Sequence, residues 1–286
     1  MCIRDRFSTG PDWKSALHAP ERWQQPGFDD AAWKPAVAVT ADLGHPWIPD
    51  SVKVLRNTFQ VNSPVVSARL YSTALGAYEL FLNGKRVGDD VLAPGWTDYR
   101  EHVKYQTYDV TKQIDEEVNV QVLGAYLAPG WYSTPLEWFQ QPNNYGDTPP
   151  ALRVQLRIEY ADGSVQWVTT DPSWLASLTS IQHSEIYDGE TDGEGETDDQ
   201  SVSLGQYEPL YKDLNKVITV DPKHVSVEAQ DYPPIRVERT LEPKTMSEPK
   251  PGVYVYDFGQ NFSGVEHIKV SGPRGTDVQV LSLIHI

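Results

Sequence analysis

Cysteine and basic residues are scarce in this sequence. Its one cysteine, Cys2, leaves no second thiol for an intramolecular disulfide, so a disulfide-stapled fold is excluded. The 24 Lys and Arg residues stand against 40 Asp and Glu, which gives a formal net charge of −16. Proteins that bind nucleic acid or anionic membranes through charge carry clustered cations, so we expect neither partner. No run approaches the roughly 20 apolar residues that cross a bilayer.

Helical periodicity is also nearly absent, and short helices are expected only over residues 12–23 and 29–33. Hydrophobic residues make up 39 % of the chain, enough to build cores and to exclude disorder. Aromatic residues (11 %) and 22 prolines are abundant. Aromatic rings favour strands and proline interrupts helices, so the composition indicates an all-β protein.

The clearest local pattern is alternation with a period of two. Apolar side chains alternate with polar ones over residues 152–160, and a turn leads to a return strand at 165–169. Residues 70–74 and 78–82 predict a second strand pair, followed by an Asn-Gly turn at 83–84. Short strands joined by closely spaced turns are typical of β-sandwiches.

The two ends of the chain do not fit this pattern. Residues 1–6 (Met-Cys-Ile-Arg-Asp-Arg) and 281–286 (Leu-Ser-Leu-Ile-His-Ile) resemble translated sequencing-adapter read-through. We therefore leave both hexapeptides out of the fold prediction. No signal peptide is visible, and a shortened start leaves the cytoplasm, the periplasm and the cell exterior open as locations.

We predict an all-β fold in two parts. A jelly-roll-like β-sandwich with insertions is expected over residues 7–240, followed by a truncated second β-sandwich over residues 241–280. The junction at 241–252 contains three prolines, which is typical of a linker or of the entry into a new sheet. Residues 265–270 and 277–280 predict two strands of the second sandwich, the latter shorter than a usual strand.

Several segments together resemble the non-catalytic N-terminal part of bacterial α-L-rhamnosidases, glycoside hydrolase family 78. Their order along the chain matches the family, and together they span most of the chain. The segments are residues 68–88, 92–99, 105–111, 130–132, 186–191 and 252–261. The resemblance implies a galactose-binding-like first sandwich and a concanavalin-like second one.

The resemblance also implies what the intact enzymes do. Such enzymes release terminal L-rhamnose from glycosides with inversion, using carboxylates on an (α/α)₆ barrel that follows these β-domains. This sequence lacks the helical periodicity of that barrel, so we assign no catalytic residue. We predict an accessory part of an α-L-rhamnosidase, whose partners are a rhamnosylated glycan or glycoside and the catalytic barrel. A free-standing carbohydrate-binding module and a purely structural β-domain are the alternatives.

Aromatic and amide side chains in loops are the candidate carbohydrate contacts. Rings stack on the C–H faces of sugars, and amides pair with hydroxyls. By this chemistry Trp131, Tyr132 and Trp96 are candidate ring contacts. Some members of the family carry a calcium-dependent, rhamnose-binding module in this region, and that resemblance adds Asn143 and Asn144. In the structural alternative the rings fill a core and the asparagines form a turn.

An acidic segment contains the metal candidate. Asp188, Glu190 and Asp192 occupy positions 1, 3 and 5 of a stretch whose sixth residue is Gly193, a spacing close to that of an EF-hand calcium loop. Asp199 stands at position 12, where that loop carries Glu, and helices are not expected on either side. A solvated acidic loop is the alternative, as for most charge runs. We expect no required cofactor, and Ca²⁺ is the one candidate ion.

Overall fold

A computed structural model of the chain describes residues 8–9, 14–15, 34–35, 38–41, 51–136, 142–146, 148–187, 189–192, 215–221, 225–273 and 277–280. Within these residues no helix has the length and apolar character needed to cross a membrane. The helical elements described are a 3-10 turn at Thr111–Gln113 and the short helix α1 at Gly130–Ser133. The strands, in chain order, are β1 Ser8–Thr9, β2 Lys14–Ser15, β3 Lys34–Pro35, β4 Ala38–Ala41, β5 Lys53–Gln60, β6 Val65–Leu75, β7 Ala77–Leu82, β8 Lys85–Arg86, β9 His102–Asp109, β10 Val120–Ala128, β11 Ala151–Tyr160, β12 Val165–Thr169, β13 Leu175–Leu178, β14 Ile181–Glu185, β15 Gly189–Asp192, β16 Asn215–Val220, β17 Ser226–Ala229, β18 Thr245–Lys250 and β19 Val253–Asp257.

The chain forms two compact units, Met1–Arg236 and Val237–Ile286. The first contains strands β1 to β17 and the second contains the hairpin of β18 and β19. The all-β prediction is confirmed, since strands form nearly all of the regular structure described. The domain limits predicted from the sequence stay predictions, and both terminal hexapeptides lie outside the described residues.

Two layers of strands face each other in the first unit. One layer runs β17–β9–β6–β11, and both β12 and β4 pair with the far edge of β11. The other layer runs β13–β5–β10–β7–β8. Strand β16 joins the two layers, because it pairs with β4 and with β13. The hydrogen-bonded ladder is therefore continuous around one side of the sandwich.

The core fills the space between the two layers. On one face of β11, Leu152, Val154, Leu156 and Ile158 are fully buried, whereas Arg157 on the other face is partly exposed. The strands predicted at residues 152–160 and 165–169 are thereby confirmed as the antiparallel pair β11 and β12. The side chains that face β11 come from β5, β7, β10 and the residue before β13. They include Leu55, Leu80, Leu82, Leu123, Leu127 and Trp174.

Residues 70–74 and 78–82 form strands, but these strands do not pair with each other. β6 is bonded to β9 and β11, whereas β7 is bonded to β8 and β10 in the other layer. Gly76, with a φ of 130°, allows the crossing, because a Cβ there would lie 2.4 Å from the carbonyl oxygen of the last residue of β10. The predicted pair is wrong, since local alternation does not specify which strand becomes the neighbour. The turn at Asn83 and Gly84 is confirmed, with positive φ at both residues.

The helix expected over residues 12–23 is wrong where the structure describes it. Lys14 and Ser15 form strand β2, which pairs antiparallel with Lys34 and Pro35 of β3. Backbone hydrogen bonds to a neighbouring strand override a weak local preference for helix. The other residues of that stretch, and the short helix expected over residues 29–33, lie outside the described residues.

The second unit contains one hairpin within the residues that the structure describes. β18 and β19 pair antiparallel around a turn at Gly252, whose φ is 79°. The strands predicted at residues 265–270 and 277–280 are wrong, because these residues are described without strand structure, and Val265 is 88 % exposed. A strand needs a neighbouring backbone to pair its N–H and C=O groups, and alternation alone does not supply one.

We expect Leu156→Ala to lower the free energy of unfolding by about 2–5 kcal/mol, because Leu156 is fully buried between the layers. Leu178→Ala is the matched control, since Leu178 is 47 % exposed, and a loss of about 0.5 kcal/mol or less is expected for it. Urea unfolding followed by tryptophan fluorescence measures both variants. Equal losses would contradict the position of β11 at the centre of the core.

Candidate functional site: an aromatic patch

Three segments of the first unit carry the candidate carbohydrate contacts. Trp96 lies in the loop between β8 and β9, and Trp131 and Tyr132 lie in α1, directly after β10. Asn143 and Asn144 lie in the segment between α1 and β11. Because β9, β10 and β11 are long strands paired within the two layers, their ends hold these segments in place.

The exposed part of the site is a pair of stacked indoles. The rings of Trp96 and Trp131 are nearly parallel, with an interplanar angle of 5° and centroids 5.9 Å apart. Trp96 Nε1 donates a hydrogen bond to Tyr145 Oη at 2.7 Å, and Trp96 is 50 % exposed. We call Trp96, Trp131 and Tyr145 the aromatic patch. The hydrogen bond restrains the ring planes and leaves ring surface open to solvent.

Two buried tyrosines support the aromatic patch. Tyr99 contacts Tyr132 and Tyr145 edge to face, with centroid distances of 5.4 and 5.1 Å. The hydroxyl of Tyr99 donates to Gly95 O at 2.7 Å, and that of Tyr132 donates to Thr148 O at 2.8 Å. Burial raises the pKa of the Tyr99 phenol well above its usual range. Tyr132 is 3 % exposed, so this candidate contact is a ring of the supporting layer.

The two asparagines lie in a turn next to α1. Asn143 has a φ of 60°, in the left-handed region that asparagine tolerates. Its N–H donates to Ser133 O at 3.1 Å, and its carbonyl oxygen accepts from the Gly146 N–H at 3.1 Å. Turn geometry therefore accounts for asparagine at position 143. Asn143 is exposed and Asn144 is partly exposed, and their contact with a sugar stays a prediction.

A charged pair lies at the edge of the aromatic patch. Arg100 donates from Nε and Nη2 to the two carboxylate oxygens of Asp98, at 2.8 and 2.7 Å. Its guanidinium carbon lies 5.9 Å from the centre of the Tyr145 ring. The hydrogen bonds from Arg100 lower the pKa of Asp98 to about 2, so both groups are charged at neutral pH. The site thus offers ring faces and a guanidinium, which are binding groups.

The calcium candidate lies only partly within the described residues. Glu190 and Asp192 are exposed residues of β15, and alternation places them on one face of that strand. Asp188 and residues 193–200 lie outside the description. Among the residues that are described, no three His, Cys, Asp or Glu side chains are grouped to hold a metal ion. Calcium binding by this segment stays a prediction.

Sequence reasoning did not single out Tyr145 and Arg100. Tyr145 directly follows Asn143 and Asn144, and this position next to two candidate residues could have identified it as a site residue. Arg100 lies two residues after Asp98, and a pair at that spacing is common on protein surfaces. Its place over Tyr145 depends on two loops that are distant in sequence, so no local pattern indicates it.

Comparison with known protein families assigns the chain. Residues 63–239, more than half of the sequence, match the family model of the α-L-rhamnosidase N-terminal domain. The chain belongs to this family. All three residues of the aromatic patch fall within the match, and residues 247–282 match the bacterial α-L-rhamnosidase concanavalin-like domain.

Curated α-L-rhamnosidases are similar to this chain over most of its length. An α-L-rhamnosidase from Streptomyces avermitilis is 41 % identical over 279 residues, which cover 94 % of this chain and 26 % of that protein. One from Alteromonas sp. is 34 % identical over 229 residues, covering 78 % of this chain and 24 % of that protein. The chain therefore spans about a quarter of the length of these relatives.

Solved α-L-rhamnosidase structures have a similar fold. The native enzyme from Aspergillus terreus superposes with a TM-score of 0.70 and 32 % identity, covering 79 % of this chain and 26 % of that one. The Streptomyces avermitilis enzyme complexed with L-rhamnose gives a TM-score of 0.67 and 38 % identity, covering 88 % of this chain and 25 % of that one. The two-layer arrangement is therefore that of α-L-rhamnosidases.

We expect the carboxyl group of Asp98 to titrate with a pKa of about 2 in the folded α-L-rhamnosidase N-terminal domain. In Arg100→Gln its pKa should rise towards the ordinary value of 3.8 but stay below it, because the backbone N–H of residue 100 still donates to Asp98 Oδ1. Because the folded pKa lies below the unfolded one, the stability that this pair adds is present above about pH 4. It is lost as the pH falls towards about 2. Carboxyl carbon chemical shifts measure the titration.

Arg86→Gln is the control for this titration, because it removes a guanidinium that pairs with Glu79. The pKa of Asp98 is expected to stay low in this variant. A wild-type Asp98 that titrates at its ordinary value would contradict the paired geometry.

Proposed function

We propose that this chain is the N-terminal accessory part of an α-L-rhamnosidase, and that its aromatic patch binds the rhamnosyl group of glycosides. The observation that carries the proposal is the stacked pair of Trp96 and Trp131, of which Trp96 is half exposed. The partners proposed for the chain are a rhamnosylated glycan or glycoside and the catalytic barrel that such enzymes carry.

The chemistry of the aromatic patch suits a deoxy sugar. An indole face takes the apolar C–H face of a pyranose ring, and the methyl group of rhamnose adds apolar area to that contact. Sugar hydroxyls accept hydrogen bonds from a guanidinium, and they both donate to and accept from amides. Arg100 and Asn144, which carry these groups, lie on the segments beside the rings. These groups support the binding of a sugar by the aromatic patch.

The relatives support this choice of substrate class. The chain is 41 % identical to about a quarter of an α-L-rhamnosidase from Streptomyces avermitilis, and a solved structure of an enzyme from that organism is a complex with L-rhamnose. The coverage of about a quarter of each relative supports an accessory role rather than a free-standing module.

We expect the purified chain to be retarded on an L-rhamnose affinity gel and Trp96→Ala to lose about three- to tenfold in affinity, because an aromatic contact contributes about 0.5–1.5 kcal/mol. Asn144→Ala is expected to weaken retention through loss of an amide contact. Tyr254→Ala is the matched control, since Tyr254 is an exposed aromatic residue of the second unit, at 53 %. Absence of retention by the wild-type chain would refute the binding proposal.

The same gel tests the role of calcium. Retention is expected to be equal in buffer with Ca²⁺ and in buffer with a chelator, because the aromatic patch uses rings, a guanidinium and amides. A loss of retention in the chelator would instead support a calcium site in the acidic segment that begins at Asp188.

We predict that the purified chain releases no nitrophenol from nitrophenyl α-L-rhamnoside. Inverting hydrolysis needs an acid and a base carboxylate about 6.5–9.5 Å apart across the glycosidic bond. At the edge of the aromatic patch the carboxylate of Asp98 is instead bound by Nε and Nη2 of Arg100. Absorbance of released nitrophenol measures the rate, with a complete α-L-rhamnosidase as the positive control. Turnover that co-purifies with the chain would contradict the accessory role.

A further inference from the structure

The loop that carries Trp96 has a conformation that needs support. Leu92 has a φ of 57° and Gly95 a φ of 93°, so two residues of this short loop lie in the left-handed region. The Gly95 N–H donates to Leu92 O at 2.9 Å, which closes the turn. Trp96 is the next residue, and the direction of its side chain therefore depends on this turn.

Two side chains from the last segment of the first unit support this turn, Tyr232 directly and Gln230 through Gln106 of β9. Tyr232 Oη donates to Pro94 O at 3.1 Å. Gln106 Nε2 donates to the same carbonyl at 3.3 Å and to Gln230 Oε1 at 2.8 Å. The Pro94 carbonyl is thus held by β9 and by the segment that follows β17. That segment leads along the chain into the second unit.

Gly95 lies between two tyrosine hydroxyls. Its carbonyl oxygen accepts from Tyr99 Oη at 2.7 Å. On another side, a Cβ added to Gly95 would lie 2.4 Å from Tyr232 Oη, so the hydroxyl occupies the space that a side chain would need. A residue packed this closely between two groups has little freedom to turn.

The segment that carries Gln230 and Tyr232 is itself held in place by contacts with β9. β17 lies parallel to β9, and Gln230 Nε2 donates to Tyr232 O at 2.9 Å. Lys104 of β9, largely buried, pairs with Glu228 at 3.0 Å and with Asp231 at 3.1 Å. The contacts on either side of Tyr232 therefore fix where its hydroxyl lies.

We propose that Tyr232 and Gln230 are positioning residues of the aromatic patch. They hold Pro94 and Gly95 so that Trp96 stays stacked on Trp131 and bonded to Tyr145. The effect on sugar affinity rests on the proposed function, whereas the effect on Trp96 itself does not.

Tyr232→Phe removes the hydroxyl and keeps the ring, so it tests this role directly. The signal is the indole N–H of Trp96, assigned as the resonance missing from Trp96→Phe, because that N–H is bonded to Tyr145 Oη. We expect its hydrogen exchange to become about three- to tenfold faster in Tyr232→Phe, the range for one lost hydrogen bond. The other indole signals should keep their rates, which a general loss of stability would not allow. L-rhamnose affinity should fall by a similar factor.

A second variant tests the contact with Gly95. Gly95→Ala should disturb the Trp96 signal in both backgrounds, because a φ of 93° strains any side chain. The disturbance should be smaller in Tyr232→Phe, where the opposing hydroxyl is gone, so the two substitutions should not be additive. Tyr187→Phe is the matched control, since Tyr187 is an exposed tyrosine outside the patch, at 44 %. It should leave the Trp96 exchange rate unchanged.

The outcomes separate this inference from the proposed function. Unchanged Trp96 exchange in Tyr232→Phe, or additive effects of the two substitutions, would overturn the positioning role even if L-rhamnose binds. Failure of the wild-type chain to bind L-rhamnose would refute the proposed function, and the exchange rates would still decide whether Tyr232 positions Trp96.

Discussion

Burial of the inner face of β11 against the opposite layer is the interaction on which the rest of the first unit depends. Leu152, Val154, Leu156 and Ile158 are fully removed from water there, and apolar burial is the main favourable term in folding. The strands on either side of this core end at the segments that carry Trp96, Trp131 and the asparagine turn. The geometry of the aromatic patch is therefore a consequence of how the two layers pack.

Buried polar groups connect this core to the patch. Tyr78 Oη in the core is bonded to Ser72 Oγ at 2.8 Å and to Gln106 Oε1 at 2.5 Å. Gln106 then donates to the carbonyl of Pro94, in the loop before Trp96. Buried hydrogen bonds are costly to leave unmade, so a connected set of this kind favours one arrangement of the loop over others. Desolvation raises the pKa of Tyr78, which keeps its hydroxyl protonated as a donor.

The division of roles that we propose within an α-L-rhamnosidase is consistent with these features. Hydrolysis needs carboxylates held on either side of a bond, whereas recognition needs ring surface, donors and rigidity. The chain has the features that recognition needs: two stacked indoles, a guanidinium hydrogen-bonded to Asp98, and a loop held by tyrosine hydroxyls. In the accessory role that we propose, such a surface raises the local concentration of substrate without taking part in the chemical step.

The sequence by itself determined the all-β class, the β11–β12 hairpin and the turn at Asn83 and Gly84, because alternation and turn chemistry are local properties. It also pointed to the aromatic and asparagine segments and, through its motifs, to the family. The sequence did not determine the strand partners, because pairing depends on backbone that is distant along the chain. β6 and β7 lie in opposite layers, and residues 265–270 form no strand. Only the tertiary structure placed Trp96 on Trp131 and Tyr232 behind Gly95, because such contacts join residues that no sequence period relates.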